Sequence, residues 1–211
     1  MSEAANERAA VGGSLRDSVI PAVTGLLAGA AVAWSYYDDV LRSLAHTFTV
    51  WVVLAVLVAR RRTPADAYAR VTALLLAAVA SFYGFRSVFY VVLYGGFYPP
   101  PLMRLVTWFV LALVAGLVLA FVLRHVGVDG WWGALACAGA IGLVIGDLVR
   151  RFDADDVALL AVSGAAVGVI AWLGVPSARQ AARVAAAVVP CAVLGFGVVL
   201  LPDLFEDLVM W

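Results

Sequence analysis

Apolar residues run along this chain in seven stretches of 16 to 24 residues, and the charged residues fall almost entirely in the short gaps between them. The stretches are Val19–Tyr37, Leu44–Ala59, Val71–Tyr94, Leu102–Leu123, Trp132–Val149, Val157–Leu173 and Ala182–Leu201. A helix needs about 20 predominantly apolar residues to cross the hydrocarbon core of a bilayer. The pattern therefore predicts an all-α fold, a polytopic transmembrane helix bundle of about seven spans. The gaps are Arg60-Arg61-Arg62-Thr63-Pro64, Pro99-Pro100-Pro101, His125–Gly130, Asp153–Asp156 and Pro176-Ser177. All are short, which predicts that sequential helices are antiparallel neighbours.

The flanks have a different texture. Residues 1–18 are rich in Ala and Gly with mixed charge, and are predicted to be a disordered tail. Ala31-Val32-Ala33 has the form of a signal-peptidase site, but Glu3, Glu7 and Asp17 interrupt the basic leader that a signal peptide carries. The first stretch is thus expected to stay as an uncleaved helix. Residues 19–201 make one transmembrane domain. Residues 202–211 place Leu204, Phe205, Leu208 and Trp211 on one face, the pattern of a short interfacial helix.

Composition sharpens the class. Hydrophobic residues make up 65% of the 211, and the mean hydropathy is +1.02; soluble domains hold roughly 45–50% apolar residues. Seven spans use up nearly the whole chain, so no room is expected for a soluble catalytic domain. The net charge is zero, which gives nucleic acid no electrostatic foothold. All 14 basic residues are Arg. Without a Lys amine, retinal Schiff-base chemistry and Lys- or pyridoxal-based catalysis are excluded. Cys137 and Cys191 fall inside spans, where thiols behave as small hydrophobes.

Arg placement predicts the topology. With the N-terminus cytoplasmic, the inside segments hold Arg8, Arg16, Arg60, Arg61, Arg62, Arg70, Arg124, Arg179 and Arg183; the outside ones hold Arg42, Arg104, Arg150 and Arg151. Nine against four favours N-in, although Arg150-Arg151 on the outside runs against the trend. A weak internal repeat links Thr49-Val50-Trp51-Val52-Val53-Leu54-Ala55 with Thr107-Trp108-Phe109-Val110-Leu111-Ala112. Each opens a helix, and a parallel duplication of that kind is found in transporters.

The residue least at home in a membrane is Arg86, inside the third stretch and roughly 12 Å from its nearer end. An Arg costs about 2.5–3.5 kcal/mol at a membrane helix centre and less towards the ends, where it can snorkel. At 100° per residue Tyr83, Arg86, Tyr90 and Tyr94 share one stripe, which predicts that this stripe faces the bundle interior or a wet cavity. An aromatic belt at the interface would account for Tyr94 and Tyr98 but not for Tyr83. With alternating spans, Asp38, Asp39, His46, Arg86 and Asp147 fall on the same side. Asp147 is the candidate counter-ion of Arg86; the competing reading is that it meets water beside Arg150 and Arg151. The candidate ligand-binding set is Tyr83, Arg86, Tyr90, Tyr94 and Asp147.

Other motifs point to packing. Gly25/Gly29, Gly142/Gly146 and Gly164/Gly168 have the spacing that lets helix backbones approach closely, and Pro190 is a candidate kink. There is no His-Glu-x-x-His motif and no Gly-x-Ser-x-Gly elbow. Ser163-Gly164 has no paired His, since His46 and His125 fall on opposite sides. Asp153-Ala154-Asp155-Asp156 is read as a cap of the next helix. No enzyme, cofactor or metal site is expected.

Trp51 and Trp108 open helices, Tyr94-Gly95 precedes a loop, and Gly146-Asp147 ends a Gly-rich helix. Over residues 45–150 this resembles a family of uncharacterised multi-pass proteins of GC-rich actinobacteria. The resemblance implies a polytopic plasma-membrane protein and carries no activity with it.

The sequence leaves three functions open. The first is binding or transport of a small polar or anionic molecule near Arg86, which would call for a homo-oligomer or a partner membrane subunit. The second is a structural or accessory subunit in the lipid bilayer. The third, a lipid-modifying enzyme, lacks catalytic pairs.

Overall fold

The computed structural model describes the backbone of residues 2–96, 99, 102–153 and 155–209, and within these the side chains of all but 2–17, 203 and 205–209. Among the described residues there are seven α-helices and no strand: α1 Ser2–Ser35, α2 Thr49–Ala59, α3 Pro64–Tyr94, α4 Leu102–Leu123, α5 Trp131–Arg150, α6 Val157–Gly174 and α7 Ala178–Val209. Six of them hold a segment long and apolar enough to cross a membrane; α2 does not.

The expected span at Leu44–Ala59 is therefore corrected. Its first residues form a 3-10 turn, Arg42–His46, and the α-helix begins only at Thr49. Eleven residues reach about 16 Å, half the hydrocarbon thickness. The break falls at Thr47 and Phe48, where hydroxyls compete with the helical backbone for partners. Thr49 N–H bonds the Thr47 hydroxyl at 3.1 Å, and Phe48 N–H bonds the Asp147 carboxylate at 2.7 Å.

Other boundaries also move. Helix α1 begins at Ser2, so residues 2–18 join the first helix instead of standing as a separate tail; Ala4, Ala5, Ala9 and Ala10 are strong helix formers there. Helix α3 starts at Pro64, seven residues before the expected Val71, because Thr63 caps it: its hydroxyl accepts from Asp66 N–H at 3.3 Å, with Pro at the first position. It ends at Gly95, whose φ of 69° is the left-handed conformation of a helix stop. Asp156 caps α6 through Leu159 N–H at 2.9 Å, as its sequence position suggested. Helix α7 runs through Pro190 and Pro202 to Val209, so the expected interfacial tail continues α7. The apolar face assigned to Phe205, Leu208 and Trp211 lies outside the described side chains.

Sequential neighbours pack as expected at α2–α3, α3–α4 and α5–α6, but the main seams lie elsewhere. The two most extensive interfaces are α1 against α3 and α5 against α7. Both pairs run parallel, since Gly25 and Gly29 meet Leu74 and Ala78, while Gly142 and Gly146 meet Cys191 and Phe196. A methyl group at any of these four glycines would drive into the neighbouring backbone. Such close seams hold helices together where lipid offers no hydrophobic drive. Gly164 and Gly168 have nothing within 4 Å, so that third motif is no seam.

Helix α5 is the centre of the bundle, with 61% of its span buried against 17–33% in the other five. Its inward face is small: Ala134, Ala138, Ala140, Gly142 and Gly146. Large apolar side chains such as Trp172, Val92, Phe121 and Leu194 point outward, forming the coat a bilayer requires. One end of the bundle is tied by Arg61. Its N–H bonds Arg124 O at 2.9 Å, and its guanidinium holds Gly127 O at 2.7 and 3.1 Å, contacts that support its left-handed φ of 55°. The buried Gln180 side chain clasps Val128 and Gly130 at the same end. The candidate site is at the opposite end.

Candidate functional site

After Ser35 the chain reverses through Tyr36–Leu41. The Asp38 carboxylate accepts from Val40 and Leu41 N–H, both at 2.9 Å, a side-chain-stabilised turn that feeds the 3-10 segment. This places Tyr36, Tyr37, Arg42 and His46 over the last turns of α3. Together with Arg86, Tyr90 and Tyr94 they line a cavity of about 410 Å³.

The wall is held from both sides. The Tyr37 hydroxyl donates to the Arg86 carbonyl at 2.9 Å, tying the end of α1 to α3. The Arg86 guanidinium lies 4.3 Å from the centre of the Tyr36 ring and donates to its hydroxyl at 3.2 Å. Stacking of this kind is worth about 0.5–1 kcal/mol exposed and more when desolvated, so it offsets part of the cost of an Arg inside a span. Rings continue around the rim, with Tyr90–Tyr94 at 5.1 Å, Tyr36–His46 at 5.6 Å and Tyr37–Tyr94 at 6.2 Å. Burial raises the Tyr37 hydroxyl above its ordinary pKa range despite the lowering pull of Arg86, so it stays a donor.

Arg42 and His46 also line a second cavity of about 410 Å³, with Ser43, Arg150, Arg151, Asp153, Asp156 and Leu159. The two side chains form a shared ridge. His46 is exposed on that ridge, yet its pKa is lowered by partial desolvation first and then by Arg151, Arg86, Arg150 and Arg42. Its imidazole is neutral near pH 7, with one N–H to donate and one nitrogen to accept.

Asp147 lies beneath this second cavity, fully buried. One carboxylate oxygen accepts from the Thr47 hydroxyl at 2.5 Å and from Phe48 N–H at 2.7 Å. The other meets Arg150 at 2.8 Å and Arg151 at 3.8 Å. The carboxylate thus sits at the start of α2, where the helix dipole favours an anion. Its contacts go to Thr47, Phe48, Arg150 and Arg151, not to Arg86, which corrects the expected Arg86–Asp147 pair. The cause is the broken second crossing, which brings Thr47 and Phe48 onto Asp147.

Of the five candidate residues, Arg86, Tyr90 and Tyr94 share the first cavity. Tyr83 is buried one turn deeper in α3, edge-on to Phe82 at 5.4 Å, and does not line it. Asp147 belongs to the neighbouring network. The sequence stripe missed Tyr36, Tyr37 and Arg42, because periodicity along one helix is blind to what another helix end lays across it. A signal was present in the Tyr36-Tyr37-Asp38-Asp39 string at the close of the first stretch. Among the described residues no group of three His, Cys, Asp or Glu side chains could hold a metal.

No family model, curated protein or solved structure matches this chain.

Proposed function

We propose that the chain is a plasma-membrane protein that binds a small anionic or polar molecule in the cavity at Arg86. One observation carries the reading: Arg42 and Arg86 line that cavity with four tyrosines and a histidine, and no carboxylate is among its described lining residues. Arg forks, phenol hydroxyls and a neutral imidazole are the donors an oxyanion uses.

Orientation follows from Arg counting, with nine residues towards the Arg61 end and four towards the opposite one. The N-terminus is then cytoplasmic and the Arg86 cavity opens outward. Transport is supported by the arrangement of α1–α2–α3 and α5–α6–α7, in each of which the first and third helices pack parallel. Parallel repeats of this kind recur among carriers. Six spans are few for a complete carrier, so the transport reading includes a second copy or a partner membrane subunit. An accessory, non-catalytic role is the second reading, favoured by the Asp147 network, in which the protein's own hydroxyl, amide and carboxylate staple the start of α2 to α5.

The test is thermal unfolding of the purified protein titrated with phosphate, sulfate and acetate. A ligand that binds only the folded state raises the melting temperature with concentration. The wild type should respond to at least one anion, and Arg86→Gln should lose that response while melting cooperatively. An identical response from both proteins, or none from either, removes the Arg86 site and leaves the accessory role.

A further inference from the structure

Among the described residues that line the Arg86 cavity, His46 is the one whose type exchanges a proton near neutral pH. Its ring centre lies 5.6 Å from that of Tyr36, and the Arg86 guanidinium lies 4.3 Å from the centre of the same ring. Imidazole and guanidinium thus flank one phenol in a shared cavity. The imidazole is exposed, so a proton can reach it from water.

The charges around His46 are mostly positive. Its own turn brings Arg42, which pairs with Asp39 at 3.5 Å. Helix α3 brings Arg86 with the hydroxyls of Tyr90 and Tyr94, and the turn after α1 brings those of Tyr36 and Tyr37. The Asp38 carboxylate in that turn is engaged by Val40 and Leu41 N–H. From α5 come Arg150 and Arg151, which share the one buried carboxylate of Asp147 at 2.8 and 3.8 Å. Ahead of α6, Asp153 and Asp156 each turn a carboxylate oxygen to backbone N–H. Desolvation first, then Arg151, Arg86, Arg150 and Arg42, oppose protonation of the imidazole.

An anion in the cavity reverses that opposition, because it offsets the field of Arg86 and gives an imidazolium a partner. We infer that the Arg86 cavity takes up a proton together with its anion, and that His46 is the group that holds the proton. This rests on the anion-binding reading of the cavity and adds a co-ligand to it. The proton passes from water to the unprotonated ring nitrogen, and the resulting imidazolium offers two donors where the imidazole had one. Linkage is reciprocal: the bound anion favours the proton, so the proton favours the anion by the same factor. Anion affinity is therefore lowest at high pH. It climbs as pH falls through the His46 pKa of the anion-bound form and levels off below that of the empty form. In the transport reading this linkage couples movement of the anion to that of a proton.

The test measures sulfate binding to the purified full chain by calorimetry, since sulfate keeps its charge across the pH range used. The wild type should bind sulfate about tenfold more tightly at about pH 5.5 than at about pH 7.5, an ordinary factor for two coupled sites. His46→Gln should give one affinity at both pH values, and Arg86→Gln should lose sulfate at both. Titrations in two buffers of different ionisation enthalpy count the protons taken up with each sulfate. Uptake should be positive in the wild type and absent in His46→Gln. Equal wild-type affinities at the two pH values, without proton uptake, would overturn the coupling and leave the anion site standing. A pH dependence that persists in His46→Gln would also overturn it, since the proton would then bind elsewhere. If sulfate binds the wild type at neither pH the coupling falls, and the Arg86 site falls with it when phosphate and acetate fail as well.

Discussion

Asp147 and Thr47 stand 100 positions apart in the chain and meet at 2.5 Å, with the carboxylate of α5 closing the start of the half-length helix α2. The Thr47 hydroxyl can donate only one proton, and Asp147 is its acceptor. In turn it receives Thr49 N–H at 3.1 Å. The buried charge is compensated from four directions, by a hydroxyl, a backbone amide and two guanidinium groups.

Removing the carboxylate should therefore be costly. Asp147→Leu leaves Arg150 and Arg151 facing each other without their shared acceptor, and breaking a buried pair in this way costs about 3–5 kcal/mol. A large fall in the melting temperature of the purified protein is expected, with a smaller fall for Asp147→Asn. An unchanged melting temperature for the Leu variant would show that the network does not hold α2.

Thr47 separates hydrogen bonding from shape. Thr47→Val keeps the volume but withdraws the donor from a buried carboxylate, a loss of about 1–3 kcal/mol. Thr47→Ser keeps the donor and should stay near wild type. The comparison is read from the two melting temperatures, and equal effects would assign the site to packing alone.

The glycine seams make a paired prediction. Gly142→Ala and Gly25→Ala put a methyl group into the backbone of the facing helix and should destabilise by about 1–3 kcal/mol. Gly164→Ala meets open space and replaces the poorer helix former, so it should be neutral or stabilising by up to about 1 kcal/mol. Expression level and melting temperature of the three variants check the contrast.

Helix identity was legible in the sequence because lipid contact demands long apolar runs, and six of the seven expected spans are helices of that kind. The seventh misled because apolar content does not reveal a break: Thr47, Phe48 and Thr49 read as ordinary span residues until Asp147 is laid against them. The shared side of Asp38, His46, Arg86 and Asp147 survived that error, since the chain from Tyr36 to Ala59 still passes from one end of the bundle to the other. Thr63-Pro64 starts α3 through capping chemistry, which an apolar run does not register. Half the cavity wall was hidden for a different reason. Tyr36, Tyr37 and Arg42 reach Arg86 through a turn, and no periodicity encodes that approach.

His46 gives a pH dependence. Its folded pKa is lowered by desolvation and by Arg151, Arg86, Arg150 and Arg42, so the folded state favours the neutral imidazole. Its contribution to stability is complete above the unfolded value of about 6.5. As pH falls below that value the unfolded chain takes up the proton first, and stability declines towards the lower folded pKa. Melting temperatures measured from about pH 7.5 down to about pH 5 should fall, less steeply in His46→Gln. Equal slopes would show that His46 does not report this environment.

The measurement that bears most directly on the Arg86 cavity is native mass spectrometry of the protein purified from its own membrane, wild type beside Arg86→Gln. A bound small molecule or lipid should leave with the wild type and be missing from the variant, with both proteins folded. The same bound mass in both, or two well-folded proteins that are equally empty, would contradict a ligand site at Arg86.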